Sequence, residues 1–313
     1  MKCFTEYVEE NAAGKNTLVF THGWPSIWTV WGPQVVEFSK DYHVIALNTR
    51  GYAGSSFPGD VKEDGTFFDV SNDIQCLLDH VNVSKAVCVG IDWGSQICIE
   101  AARDLPNTII AATGTLPYQP SYTPAWLITP TLPSLGYQVY FNNYTTEAIA
   151  ELNTDVRRSL RSTYRGHANP PPEGFLVAQT NYLGAYGNAT GFIQIDPIVF
   201  MTSQQEDYMV EQFERQGFDR TLYLYQNDNR VMSEQYDQAN SPAIISQPVL
   251  FVPPDSDPVV PDFNAVMEFL GAYNVLPDIT VTQVNNSAHW VTLEQPDAYN
   301  EALRSWLDTK VFV

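Results

Sequence analysis

What this 313-residue chain lacks narrows its role before anything else does. It is short of positive charge, with 16 lysines and arginines against 36 aspartates and glutamates and a net charge of −20. That balance opposes binding to nucleic acid or to anionic membranes and favours solubility, while saying nothing about a small substrate. Long apolar runs are missing too. None approaches the roughly 18 residues needed to cross a bilayer, and Met1-Lys2 leads into a polar stretch, Glu6 to Asn16, without the form of a signal peptide. The expectation is a soluble, cytoplasmic protein. Cysteine is scarce: Cys3, Cys76, Cys88 and Cys98 lie in or beside apolar segments without metal-ligand spacing and are expected to be reduced core residues. Four N-x-S/T triplets, at Asn82, Asn143, Asn188 and Asn285, carry no weight without a secretory signal. Internal repeats, heptad arrays and low-complexity tracts are absent from the sequence.

What is present suffices for a large core: 44% of the residues are apolar and 13% aromatic, so disorder is excluded as the general state. The first 115 residues alternate β-branched apolar runs with helix-like stretches, the pattern of a mostly parallel sheet with crossover helices. Candidate strands are Thr17-Thr21, His43-Leu47, Ala86-Ile91 and Ile109-Thr113. Between the second and third, Ile74, Leu77, Leu78 and Val81 recur at i, i+3, i+4 and i+7 and predict an amphipathic helix. From about Ser121 to Asn240 proline and tyrosine become frequent and the periodic stretches read as helices. Strand character returns at Val249-Val252 and Ile279-Val284, and Tyr299, Ala302, Leu303 and Trp306 predict a closing helix. The predicted fold is therefore α/β: a mostly parallel central sheet flanked by helices. Its core is divided into residues 1–120 and 241–313 by a helical cap, or lid, at 121–240.

The sharpest local signal is Gly90-Ile91-Asp92-Trp93-Gly94-Ser95, where an apolar strand meets the start of a helical pattern. A strand-end Asp that merely caps the next helix would share part of this pattern. A nucleophile elbow adds a requirement, because its strained turn needs small residues two before and two after the nucleophile, and Gly90 and Gly94 satisfy it. The residue type then narrows the chemistry. A serine attacking an sp3 carbon would leave an ether beyond rescue; a carboxylate leaves an ester whose carbonyl water can attack, given an oxyanion hole. Epoxides and alkyl halides are the substrates such an Asp selects.

His22-Gly23-Trp24-Pro25 follows the strand Thr17-Thr21. A tight turn there would aim the Trp24 N–H at the elbow, to form an oxyanion hole with the Trp93 N–H, and Trp24-Pro25 is a candidate cis peptide. Asp257 and His289 follow the two late strands, so nucleophile, acid and histidine come in that order. His289 would take a proton from water while Asp257 holds its tautomer. Of the other histidines, His22 belongs to the loop motif, His43 starts a strand, His80 lies near a helix end and His167 sits in the insertion.

Taken together, HGWP at 22–25, RGYAGSS at 50–56, GIDWGS at 90–95, DSDPVVP at 255–261 and AHW at 288–290 resemble epoxide hydrolases of the α/β-hydrolase fold superfamily, of the soluble type without a preceding phosphatase domain. The resemblance spans nearly the whole chain and implies a helical lid carrying two tyrosines that donate to the epoxide oxygen. Gly136-Tyr137-Gln138-Val139-Tyr140-Phe141 is similar to the first lid-tyrosine segment and points to Tyr137. Gly217-Phe218 with Leu222-Tyr223-Leu224-Tyr225 is similar to the second and points to Tyr225. Tyr140 and Tyr223 are the fallbacks. Departures include Asn142-Asn143-Tyr144 where the family has Gln-Glu-Pro, Ile91 in place of a histidine, and a first strand that looks shortened.

The expected activity is hydrolysis of epoxides to vicinal diols through an Asp92 ester, with Tyr137, Tyr225 and Trp93 against the substrate. No metal or cofactor is expected, and the partners are a small apolar epoxide and water, with a monomer or homodimer as the assembly. The alternative is a haloalkane dehalogenase using the same nucleophile and base. It has no use for paired phenols, and Trp24 stands where many dehalogenases have a halide-binding Asn. A catalytically silent binding protein on the same fold is a further reading, opposed by the intact triad.

Overall fold

Three five-residue runs in which every side chain is buried, Thr17–Thr21 (β2), His43–Leu47 (β3) and Ala86–Gly90 (β4), make the centre of the sheet in a computed structural model. It describes residues 4–57, 59–188, 191–192 and 194–313. Strands apolar on both faces are what a parallel sheet covered by helices requires. Val19 pairs in parallel with Ile45 on one side and Cys88 on the other. With Tyr7–Glu10 (β1), Ile109–Gly114 (β5), Val249–Phe251 (β8) and Ile279–Val281 (β9), the described residues form a seven-stranded sheet of order β1-β3-β2-β4-β5-β8-β9. Only β1 runs antiparallel, against β3. Of the expected strands, β2 and β3 appear with the expected ends, β4, β5 and β8 with one end moved by one residue, and β9 with one end moved by three. β9 stops at Val281, but the chain stays beside the segment after β8: the Thr282 N–H donates to the Phe251 carbonyl at 2.9 Å, the Val284 N–H to the Pro253 carbonyl at 3.0 Å, and Val284 forms an isolated parallel bridge to Pro254.

β1 is the strand missed by the sequence reading. Glu9 and Glu10 face solvent while Tyr7 and Val8 are half-buried, so the segment reads as polar although it pairs along its whole length with β3.

Helices Gly32–Phe38 (α1), Phe67–His80 (α2) and Trp93–Asp104 (α3) connect the first strands. In α2 a reciprocal cap joins Thr66 and Asp69, a device worth about 1 kcal/mol, while Ile74, Leu77 and Leu78 are buried. Between β5 and β8 the described chain adds Ala125–Ile128 (α4), Gly136–Asn143 (α5), Thr145–Thr154 (α6), Val156–Thr163 (α7), Ser203–Gln216 (α8) and Asn227–Asn240 (α9). The main sheet takes no strand from this stretch among the described residues; a two-residue pair, Gly187–Asn188 (β6) with Gly191–Phe192 (β7), stands apart from it. Phe263–Phe269 (α10), Val291–Glu294 (α11) and Pro296–Trp306 (α12) complete the order. Tyr299, Ala302, Leu303 and Trp306 are all buried, as their spacing predicts. Among the described residues, no helix is long and apolar enough to cross a membrane.

The cysteine expectation is corrected. Cys88 on β4 and Cys98 on α3 are joined in a disulfide, their Cα atoms 5.2 Å apart, and Cys76 is exposed. A strand and the helix leaving its end fold back side by side, so ten residues of separation become one contact. Cys3 lies outside the described residues. The cysteine ground for a cytoplasmic setting falls with this correction.

Candidate active site

Asp92 occupies the turn between β4 and α3 with φ 54° and ψ −125°, a conformation that side-chain-bearing residues rarely adopt. The turn closes only because its flanks are bare. A Cβ on Gly90 would come within 2.1 Å of the Gly94 carbonyl oxygen, and one on Gly94 within 2.1 Å of the Thr21 carbonyl oxygen. Behind the turn, the Asp92 N–H donates to Thr115 Oγ1 (3.3 Å), and the Thr115 N–H to Ser95 Oγ (2.9 Å), so the elbow is braced against the end of β5. Thr115 lies in no motif, and Ser95, although it closes the GIDWGS segment, carries no mark of this contact.

The loop after β2 brings the Trp24 N–H to 2.7 Å from Asp92 Oδ1, and the Trp93 N–H also bonds the Asp92 carboxylate. A Cβ on Gly23 would meet Asp92 Oδ1 at 2.3 Å, so this approach needs glycine. The Trp24-Pro25 peptide is cis. His22 lies beneath the loop: its Nδ1 is 2.8 Å from the Gly23 carbonyl oxygen, and its Nε2 is 3.0 Å from the Thr49 N–H. Only the neutral tautomer with the proton on Nδ1 satisfies both contacts, and burial drives its pKa down to about 4 against the opposing Gly23 bond. His22 is therefore a pin for the loop, a role that its place in the motif suggested only as proximity.

Asp257 and His289 meet at the ends of the late strands. His289 Nδ1 is 3.0 and 3.3 Å from the two Asp257 carboxylate oxygens, and Asp257 Oδ1 also accepts the Val259 N–H at 2.8 Å. His289 Nε2 points the other way, to 3.6 Å from Asp92 Oδ2. All three side chains are buried. Burial opposes the imidazolium, but the adjacent Asp257 and then Asp92 outweigh it and raise the His289 pKa to about 9. Burial likewise pushes the Asp92 carboxyl up, and the His289 charge and the two N–H groups pull it back. The other histidines lie elsewhere: His43 bonds Thr17 and Glu9, His80 is exposed, and His167 reaches Ser256.

Asp92, Trp93, Tyr137 and Tyr225 line one cavity with about 1020 Å³ of empty space, its open mouth included. A smaller chamber, about 390 Å³ on the same measure, is lined by Asp92, Tyr137, Trp24, Tyr182 and His289. The carboxylate and Tyr137 thus face both. Tyr225 stands edge-on to Trp93, Tyr137 and Phe141 at ring separations of 5.2, 5.7 and 5.1 Å. Burial drives both phenols well above the ordinary tyrosine range, with the Asp92 charge adding to the effect, so both stay protonated. Tyr140 and Tyr223 line neither chamber: Tyr140 packs toward Tyr144 and faces Glu151, and Tyr223 packs between Tyr52 and Phe57. Tyr182, which no motif marked, packs on Trp24 and Tyr137.

Residues 16–296 match the model of the alpha/beta hydrolase fold family. Among curated relatives, bifunctional epoxide hydrolase 2 of Sus scrofa is 28% identical over 296 residues, covering 92% of this chain and 50% of the relative. Epoxide hydrolase A of Mycobacterium tuberculosis is also 28% identical, over 96% of this chain and 92% of the relative. The chain spans about half the length of the mammalian relatives it matches. Among solved structures, epoxide hydrolase A from Mycobacterium thermoresistibile superposes with a TM-score of 0.78 at 26% identity, covering 98% of this chain and 95% of that one.

Proposed function

This chain belongs to the alpha/beta hydrolase fold family, and from that premise we propose that it hydrolyses epoxides to vicinal diols through a covalent ester on Asp92. The observation that carries the reading is the meeting of one carboxylate and two protonated phenols, Tyr137 and Tyr225, around a single cavity. Relatives named as epoxide hydrolases, aligned over 92% or more of this chain, support it.

In this mechanism an Asp92 oxygen attacks a ring carbon, and the breaking C–O bond leaves its electrons on the ring oxygen. A phenol proton from Tyr137 or Tyr225 neutralises that oxygen. Esterification removes the Asp92 negative charge, one of the charges that hold the His289 proton. The His289 pKa therefore falls below about 9, and the imidazolium returns a proton to the tyrosinate. Neutral His289 then takes a proton from water as the hydroxide attacks the Asp92 carbonyl carbon, and the oxyanion rests on the Trp24 and Trp93 N–H groups. Collapse releases the diol, with the carboxyl proton going to the departing alkoxide, and restores carboxylate and imidazolium. Asp257 keeps the imidazole oriented throughout. Residues 121–240 serve as the lid that supplies the phenols, between core segments 1–120 and 241–313.

The dehalogenase alternative needs N–H donors for a halide: the Trp24 indole N–H is engaged with Thr221 Oγ1 at 3.2 Å, which leaves the Trp93 indole, beside the Tyr225 phenol, as an indole donor in the cavity. The deciding assay offers an aryl epoxide and a primary alkyl chloride to the same preparation. Diol without chloride release is the expected result; chloride release without diol would overturn the proposal.

A further inference from the structure

Arg230, on α9, is a cation in the larger cavity that the mechanism above does not use. It is 94% buried by its fractional exposure of 6%. Of the other three buried guanidiniums, two have carboxylate partners: Arg50 meets Asp73 at 2.7 Å, and Arg103 meets Asp237 at 3.1 Å and Glu100 at 3.4 Å, whereas Arg165, outside this cavity, donates to the Asp196 backbone carbonyl at 2.8 Å. Among the described residues, no carboxylate lies in ion-pair contact with Arg230, although the chain carries 36 acidic residues. Its side chain instead lies against three rings, with Cζ 4.9 Å from the centre of Trp93, 5.0 Å from Phe67 and 5.1 Å from Tyr122. One nitrogen, Nη2, donates to the neutral Gln119 Oε1 at 2.8 Å. Burial lowers the pKa to about 10, so the group is still charged at neutral pH.

We infer that Arg230 binds a carboxylate on the substrate, so that this cavity takes epoxides bearing a carboxylate group; the epoxide half of that statement rests on the function proposed above. A buried cation without a counter-ion is costly, and the surrounding rings offset only part of that cost. The rings hold the guanidinium plane in place, which leaves its N–H edge for a planar anion, and a carboxylate accepts two parallel N–H bonds from such an edge. Because Trp93 follows Asp92 in the chain and also lines the cavity, an anion at Arg230 would sit in the chamber that the reacting carbon enters. A clamp holding α9 to α2 and α3 would need the ring contacts but not an unpaired charge facing the cavity.

The test uses ligands that the enzyme does not turn over, so that it stands apart from the epoxide assay. Calorimetric titration compares hexanoate with hexanamide on the whole chain. The wild-type protein should bind hexanoate roughly 10-fold or more tightly than hexanamide. Arg230→Met should bring the ratio to about 1, and Arg230→Lys should keep part of it. A ratio near 1 in the wild-type protein would overturn the inference, without need of any variant. So would a preference that survives Arg230→Met, or one lost in Arg165→Met instead, since Arg165 lines the smaller chamber and has a buried Nε without a hydrogen-bond partner. A hexanoate preference in an enzyme that makes no diol would sink the epoxide reading and leave the anion site standing. Diol formation without that preference would do the reverse.

Discussion

Asp92 and Tyr225 face one cavity, yet different forces hold them there. The Asp92 side of the site is fixed by backbone: a positive-φ turn, two flanking glycines, the Thr115 brace and the Trp24 N–H at 2.7 Å. On the Tyr225 side the anchors are rings, with Trp93, Tyr137 and Phe141 between 5.1 and 5.7 Å away. Hydrogen bonds and tight turns have one good geometry, whereas edge-to-face rings tolerate small shifts. The strand-end half should therefore fail abruptly on substitution and the helical half by degrees.

The largest effect tests the first half at its centre. Asp92→Ala should lower kcat by roughly 10⁴-fold or more, with no ester adduct by mass spectrometry. Survival of substantial turnover would remove the carboxylate from the chemistry. Next in size, Gly23→Ala forces a Cβ into the space of the Asp92 carboxylate and displaces the Trp24 N–H, so kcat should fall by about 10²- to 10³-fold, as for the loss of one oxyanion donor. A near-normal rate would mean that the loop is not held as tightly as its contacts indicate.

On the helical side, Tyr137→Phe and Tyr225→Phe should each cost on the order of 10-fold in kcat, because the partner phenol remains. The double variant should approach the roughly 10²-fold or greater loss typical of a missing general acid. Equal losses in the single and double variants would show that one phenol acts alone. The smallest effect is a shift in titration. The His289 imidazole should titrate at about 9 in the free enzyme by NMR, and Asp257→Asn should move that value down toward the ordinary 6.5. Since the folded value lies above the unfolded one, the imidazolium's contribution to stability is complete below about pH 6.5 and is lost as pH rises through 9. Melting temperatures of wild type and Asp257→Asn should therefore differ more at pH 6 than at pH 10.

The same contrast explains what could be read from the sequence. Strands β2, β3 and β4 were legible because burial on both faces keeps their interiors apolar, with polar side chains only at the ends (Thr17, Thr21 and His43), and β1 was not because two of its four residues are exposed glutamates. The elbow was legible because its geometry forbids side chains at Gly90 and Gly94. No comparable rule marks a residue held by rings. Tyr137 was separated from Tyr140, and Tyr225 from Tyr223, only by family likeness, and Tyr182 and Arg230 gave no signal at all. The Cys88–Cys98 disulfide was misread because the pairing depends on how α3 folds back along β4.

The central claim, that Asp92 forms a bond to the substrate, is tested most directly by the source of the oxygen in the product. With enzyme in excess over an aryl epoxide in oxygen-18 water, the first turnover should give diol whose new hydroxyl is unlabelled, since that oxygen comes from Asp92. Full labelling in the first turnover would mean direct attack by water and would contradict the account.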